Sequence, residues 1–175
     1  MNRSVFLKTA CAAASSILLT NCAGTKPAAS GAPVAWPRAP FKTVRAFAYD
    51  CEAEHGVSFF QKGRMHKGVL NAPGAVLSPS QVQRLLADVT KGEPLDDRKP
   101  CYVPHHAFVF YDAADQPVAT LEICFTCRRF QATPPGLPEQ IGYDVPWTIM
   151  KELNVPAERG KGYYSNLYRK MRKAG

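Results

Sequence analysis

The sequence predicts an α+β fold: a single small domain whose antiparallel sheet has a central hairpin packed by two or three helices. Three observations predict it. One segment, Ser78 to Gly92, carries helix caps and apolar residues at helical spacing. Two others, "HAFVFY" and "PVATLEICF", are rich in β-branched and aromatic residues and flank the turn-like "DAADQ". About 135 residues follow a Pro- and Ala-rich stretch near the N-terminus, enough for one hydrophobic core and hardly for two.

Taken in order, "TVRAFAYD" (Thr43–Asp50) alternates Val44, Ala46, Ala48 with Arg45, Phe47, Tyr49 and predicts a strand. "GVSFFQKGRMHKGVL" predicts one or two short strands punctuated by Gly56, Gly63 and Gly68. In "LSPSQVQRLLADVTKG", Ser78 caps a helix, Pro79 suits its first turn and Gln81 completes a capping box. Val82, Leu85, Leu86 and Val89 give that helix one face to pack on a sheet, and Gly92 ends it. After the hairpin, "QATPPGLPEQIGYDVPW" holds four prolines and is loop-like. "VPWTIMKELNV" and "GYYSNLYRKMRK" then predict two helices. Tyr164, Leu167, Tyr168 and Met171 form the apolar stripe of the second, with Arg169, Lys170, Arg172 and Lys173 for its wet side.

The hairpin turn centres near Ala114, so residues whose numbers sum to about 228 face each other. That register sets Cys101 opposite Cys127 and His106 opposite Glu122. A slip of one residue sets His105 opposite Cys124 instead and moves side chains to the other face. In both registers the open end gathers Cys101, His105 or His106, Cys124 and Cys127.

Four cysteines remain for the domain, Cys51, Cys101, Cys124 and Cys127, and three chemistries fit them. An even number in an oxidising compartment suggests two disulfides, with the hairpin favouring Cys101 bonded to Cys127 or Cys124 and Cys51 taking another partner. If the thiols are reduced, Cys124 and Cys127 have the C-x-x-C spacing of half a zinc site, which Cys101 with Cys51, His105 or His106 would complete. Zinc is the only cofactor these residues suggest, and none is required. Thirdly, Cys124–Cys127 reads as an exchangeable redox pair, with Arg128 and Arg129 favouring a thiolate. The prolines after it leave little room for the helix such a pair normally opens. His105 and His106, with Glu122, suit acid–base work, yet no Ser/His/Asp order or other catalytic motif accompanies them.

The N-terminus speaks to the compartment. "MNRSVFLKTACAAASSILLTNCAG" has a positive start (Arg3, Lys8) and an apolar stretch from Thr9 to Leu19, too short to span a bilayer. It closes on Leu19-Thr20-Asn21-Cys22, which resembles the lipobox of bacterial lipoproteins. The resemblance implies cleavage before Cys22, diacylation of its thiol and acylation of the new amino terminus. Several acyl chains on one residue satisfy the requirement for stable membrane attachment. The lack of an aspartate at Ala23 implies sorting to the outer membrane, facing the periplasm. Residues 1–21 are then the signal peptide, 22–40 a flexible Ala/Pro-rich tether and 41–175 the domain.

Losing Arg3 and Lys8 takes the formal charge from +8 to +6, and the chain from Lys151 onward carries seven Lys/Arg against two Glu. Such a tail suits an anionic envelope surface, or forms an ordinary solvated helix face. No phosphate loop, nucleotide fingerprint or repeat is present, and nucleic acid is not an expected partner.

The segment from "QVQRLLADV" through Cys101, Pro104-His105-His106, Phe108–Asp112 and Ile123–Cys127 resembles a pattern in bacterial proteins to which no activity is attached. It covers about fifty residues and implies a shared fold unit. The function expected is that of a lipid-anchored cell-envelope protein, a binding or accessory protein meeting another protein or an acidic envelope component. The alternative is a thiol–disulfide or zinc-dependent enzyme using the C-x-x-C pair and the adjacent histidines.

Overall fold

Ser78 caps its helix in both directions: its hydroxyl accepts from the Gln81 backbone and the Gln81 side chain accepts from the Ser78 N–H. The helix that follows, α1 (Pro79–Lys91), is followed by Gly92 at a positive φ. The computed structural model describes residues 34–95, 99–158, 160 and 162–174. The signal segment, Cys22 and the first part of the tether lie outside the described residues.

A five-stranded sheet has the order β4-β1-β5-β6-β7, with every neighbouring pair antiparallel. Its strands are β1 (Thr43–Ala48), β4 (Ala75–Val76), β5 (His106–Tyr111), β6 (Pro117–Cys124) and β7 (Arg129–Thr133). A separate ribbon joins β2 (Phe60–Gln61) to β3 (Arg64–Met65). Two more helices, α2 (Asp144–Glu152) and α3 (Tyr163–Ala174), complete the α+β fold. No helix among the described residues is long and apolar enough to cross a membrane.

Helices cover one face of the sheet, and a loop layer covers β1 and β5 on the other. Val44, Ala46, Ala48, Phe108, Phe110, Leu121 and Ile123 pack with α1, α2 and Tyr164 of α3. On the other face Phe47, Tyr49, Ala107, Val109 and Tyr111 pack against Phe59, carried by the segment from Cys51 to Val69. The alternation seen in β1 therefore separates two apolar surfaces. His66 ties that covering segment together. Its Nδ1 accepts from the Gly68 N–H at 3.0 Å, which leaves Nε2 to donate to the Glu54 carbonyl at 3.1 Å. The Asp50 N–H donates to the Gly68 carbonyl at 2.9 Å, and a Cβ on Gly68 would stand 2.2 Å from the Asp50 carbonyl oxygen. Only glycine admits that approach.

Three expectations change. The packed chain begins before residue 41: Trp36 is 4% exposed, meets Phe110 edge to face and donates its indole N–H to the Pro134 carbonyl. The C-terminal end of the tether is thus part of the domain, because an indole buries far more apolar area than a Pro/Ala linker otherwise offers. Arg129–Thr133, whose part from Gln131 reads as loop, pairs with β6 as an edge strand, with Phe130 and Ala132 on the large core.

The third change is the hairpin register. At the turn Tyr111 pairs with Pro117, as the turn position requires, but the register shifts between Phe110 and Tyr111 and the remaining pairs follow the slipped alternative. Phe110 faces Ala119, so Val118 is the extra residue of a bulge. His106 consequently faces Ile123, and Glu122 faces Ala107.

Candidate functional site

Cys101 and Cys127 are joined by a disulfide with Cα atoms 5.8 Å apart. Cys127 sits on the turn that leads from β6 to β7, so the bond fastens the chain entering the hairpin to the turn leaving it. Cys51 and Cys124 are free thiols, so the second disulfide is not formed. Strand β5 lies between β1, which leads to Cys51, and β6, which ends at Cys124. Two strand spacings are about 9.6 Å, beyond the roughly 7 Å that a disulfide spans between Cα atoms.

His105, His106 and Cys124 border one small cavity of about 20 Å³, and Cys51, Cys101 and Cys127 do not line it. His106 is buried on the helical face among Phe125, Trp147 and Tyr164. Its Nε2 donates to the Pro156 carbonyl at 2.9 Å, while the Tyr164 hydroxyl donates to the Glu158 carbonyl at 2.8 Å. Together they hold the connection between α2 and α3. Burial in this apolar nest lowers the His106 pKa to about 3, so the ring is neutral at physiological pH. His105 stacks on Tyr164 with ring centroids 4.1 Å apart, and its Nδ1 donates to the Tyr49 carbonyl. The bulge puts Glu122 on the opposite face from His106, so the expected His106–Glu122 pair is not made. Among the described residues no group of three or more His, Cys, Asp or Glu side chains is placed to hold a metal ion.

What the fold does bring together is a cleft. The Cys51–Val69 segment covers β1 and β5, yet no residue of β6 or β7 belongs to the apolar cluster beneath it. Beyond that layer β6 and β7 form the floor of a cleft of about 340 Å³, with Glu122 almost fully buried and Gln131 exposed. Glu122 of β6 and Gln131 of β7 are a cross-strand pair on that floor. One wall comes from Cys51 to Ser58 and the other from Tyr102 to Pro104, the segment held by the disulfide.

Glu122 is 2% exposed. Its Oε2 accepts from the Tyr49 hydroxyl at 3.0 Å, and the Phe59 backbone N–H also donates to its carboxylate. Burial raises the Glu122 pKa, and those two hydrogen bonds only partly oppose it. Burial also raises Tyr102, with the Glu122 charge adding to it. The Cys51 thiol is pushed up to about 12, first by burial and then by the Asp50 and Glu52 carboxylates. A thiol in that state is protonated at neutral pH and a poor nucleophile.

The sequence placed Cys51 and Glu122 among candidates but missed Tyr49, Tyr102 and Gln131. One signal was available: Glu122 is a lone carboxylate inside the apolar run "ATLEICF". Away from the cleft, Lys67 and Val69 together with Tyr168, Met171 and Arg172 of α3 bound an open groove of about 540 Å³. Arg169, Lys170, Arg172 and Lys173 are all exposed beside it. No protein-family model matches this chain, and neither a curated protein nor a solved structure is significantly similar to it.

Proposed function

We propose that this is a lipid-anchored protein of the bacterial cell envelope, held by Cys22 in the outer membrane and facing the periplasm, and that it works by binding. The cleft beside the disulfide is its ligand site. The observation that carries this reading is the combination of an open concavity with a buried carboxyl on its floor and a protonated thiol in its wall. Such a site has polar groups to orient a ligand and lacks an activated nucleophile. The rival, a thiol–disulfide or zinc enzyme, needs Cys124, Cys127 and the histidines to act as one group. Instead Cys127 is bonded to Cys101, so Cys124 and the histidines beside it lack the second thiol of the pair.

A second reading has its own observation. The exposed cations of α3 beside the groove suit an anionic envelope surface that the lipid anchor brings within reach.

Two experiments test the proposal. Intact protein should partition with membranes and incorporate labelled fatty acid, and Cys22→Ser should lose both; unchanged behaviour in the variant contradicts the anchor. Native mass spectrometry of gently purified protein should show an adduct of defined mass that is missing from a cleft-filled Val103→Trp variant. An adduct retained in that variant, or bare protein in both, contradicts the cleft as the ligand site.

A further inference from the structure

Resting on the reading of the cleft as a ligand site, we propose that it takes a cationic amine, a primary ammonium or guanidinium group on a short apolar stem, with Glu122 as its counter-charge. Glu122 is placed like half of an ion pair. Two neutral donors, the Tyr49 hydroxyl and the Phe59 N–H, hold its carboxylate in the floor. No ion pair among the described residues involves it. A carboxylate buried without a cation is unfavourable, and a ligand that supplies the cation removes that penalty.

The rest of the lining agrees in sign and shape. Among the described lining residues the acidic ones are Glu122 and Glu52, the latter accepting from the Ser165 hydroxyl of α3, and none is Lys or Arg, although the chain as a whole is basic. Carboxylates in and behind the wall act on the lining: Asp50 and Glu52 help raise the Cys51 thiol, and Glu122 helps raise Tyr102. Val57, Val103 and Pro104 supply apolar wall for methylene groups, and the Tyr102 ring offers a face to a cation. Gln131, paired with Glu122 on the floor, adds an amide carbonyl able to accept from a second N–H. A free carboxylate or phosphate would meet the Glu122 charge here and no Lys or Arg among the described lining residues.

The amine has two possible sources, a free small molecule or the side chain of a lysine or arginine on a partner, and two probes separate them. Titration calorimetry on the purified full-length chain should detect both cadaverine and Nα-acetyl-lysine N-methylamide, with hexanol and hexanoate far weaker. Tighter binding of cadaverine assigns a free amine; tighter binding of the lysine derivative assigns a protein side chain. Glu122→Gln keeps the shape and an acceptor for Tyr49, and should weaken the amines about tenfold or more with its melting transition intact. Val103→Trp, at the exposed rim, should block them. If hexanol or hexanoate binds as tightly as the amines and Val103→Trp blocks it, the amine assignment is overturned and the cleft stands. If amines bind equally well to both variants, the assignment and the cleft fall together. Absence of amine binding to the unaltered protein overturns the assignment outright.

Discussion

The Tyr49 hydroxyl donates to Glu122 Oε2 at 3.0 Å across 73 residues of sequence. This bond joins the apolar layer over β1 and β5 to the floor of the cleft, so the cleft's electrostatics and the domain's stability are linked. Glu122 has a raised pKa in the folded state. Its contribution is therefore fully present below its unfolded pKa and is lost as pH rises through the folded value. Glu122→Gln, which cannot ionise, should melt higher than the unaltered protein at pH 8, and the gap should close on acidification below pH 4.5, the ordinary glutamate value. A gap that widens on acidification contradicts a carboxyl held toward its neutral form.

Tyr49→Phe removes one of the two donors while keeping the ring. It leaves a buried acceptor short of a partner and should destabilise by about 1–3 kcal/mol. It should also raise the Glu122 carboxyl pKa further, as read by carbon-detected NMR titration. A carboxyl pKa unmoved or lowered in Tyr49→Phe would show that the hydroxyl does not hold Glu122.

His106 has the opposite sign. Its folded pKa of about 3 lies below the ordinary 6.5, so the folded state binds fewer protons than the unfolded one between those values. Stability should fall as pH drops through that window, by about 1.4 kcal/mol per pH unit for a single site. In His106→Gln the urea-unfolding free energy should be lower at pH 7 but should decline less steeply between pH 6.5 and 4. Equal slopes in the two proteins would place the acid sensitivity elsewhere.

Replacing Arg169, Lys170, Arg172 and Lys173 with Gln should weaken binding of a full-length Cys22→Ser protein to vesicles containing anionic lipid. The loss should be largest at low salt, where surface charges are least screened. Identical binding with and without the four cations returns the α3 face to plain solvation.

Local signals in the sequence carried well into the structure, and long-range ones did not. The capping box at Ser78 and Gln81, the end at Gly92 and the stripe through Tyr164 each depend on neighbours within one or two turns, and α1 and α3 form where they lie. The stripe is only partly buried, and Met171 at its far end is 43% exposed. The hairpin turn also formed, with Asp112 Oδ1 accepting from the Ala114 and Gln116 N–H groups. Its register did not survive past Val118, because a bulge changes which face a residue occupies without changing its strand propensity. Trp36 shows the same limit from another side: a lone aromatic in a Pro-rich stretch was the only sign that this stretch packs against Phe110.

The cleft was the least legible feature. It exists because the Cys51–Val69 layer stops short of β7, and nothing local to Glu122 or Gln131 encodes where that layer ends. The gathering of Cys101, Cys124, Cys127 and both histidines near one end of the hairpin was legible. The turning of His106 away from Glu122 was not, since it follows from the bulge.

A binding cleft beside a staple and a thiol or zinc centre differ most directly in their sulfur chemistry. Peptide mapping of freshly purified, non-reduced protein should recover Cys101 linked to Cys127, with Cys51 and Cys124 as thiols. Cys51 should alkylate slowly in the folded state, in keeping with a pKa of about 12, and Cys124, which is buried, only on unfolding. Reducing the 26-residue link should lower stability by roughly 3–4 kcal/mol on the chain-entropy view. A Cys124–Cys127 disulfide, or one zinc per chain released together with four thiols on unfolding in chelator, would contradict the binding cleft and favour the enzyme.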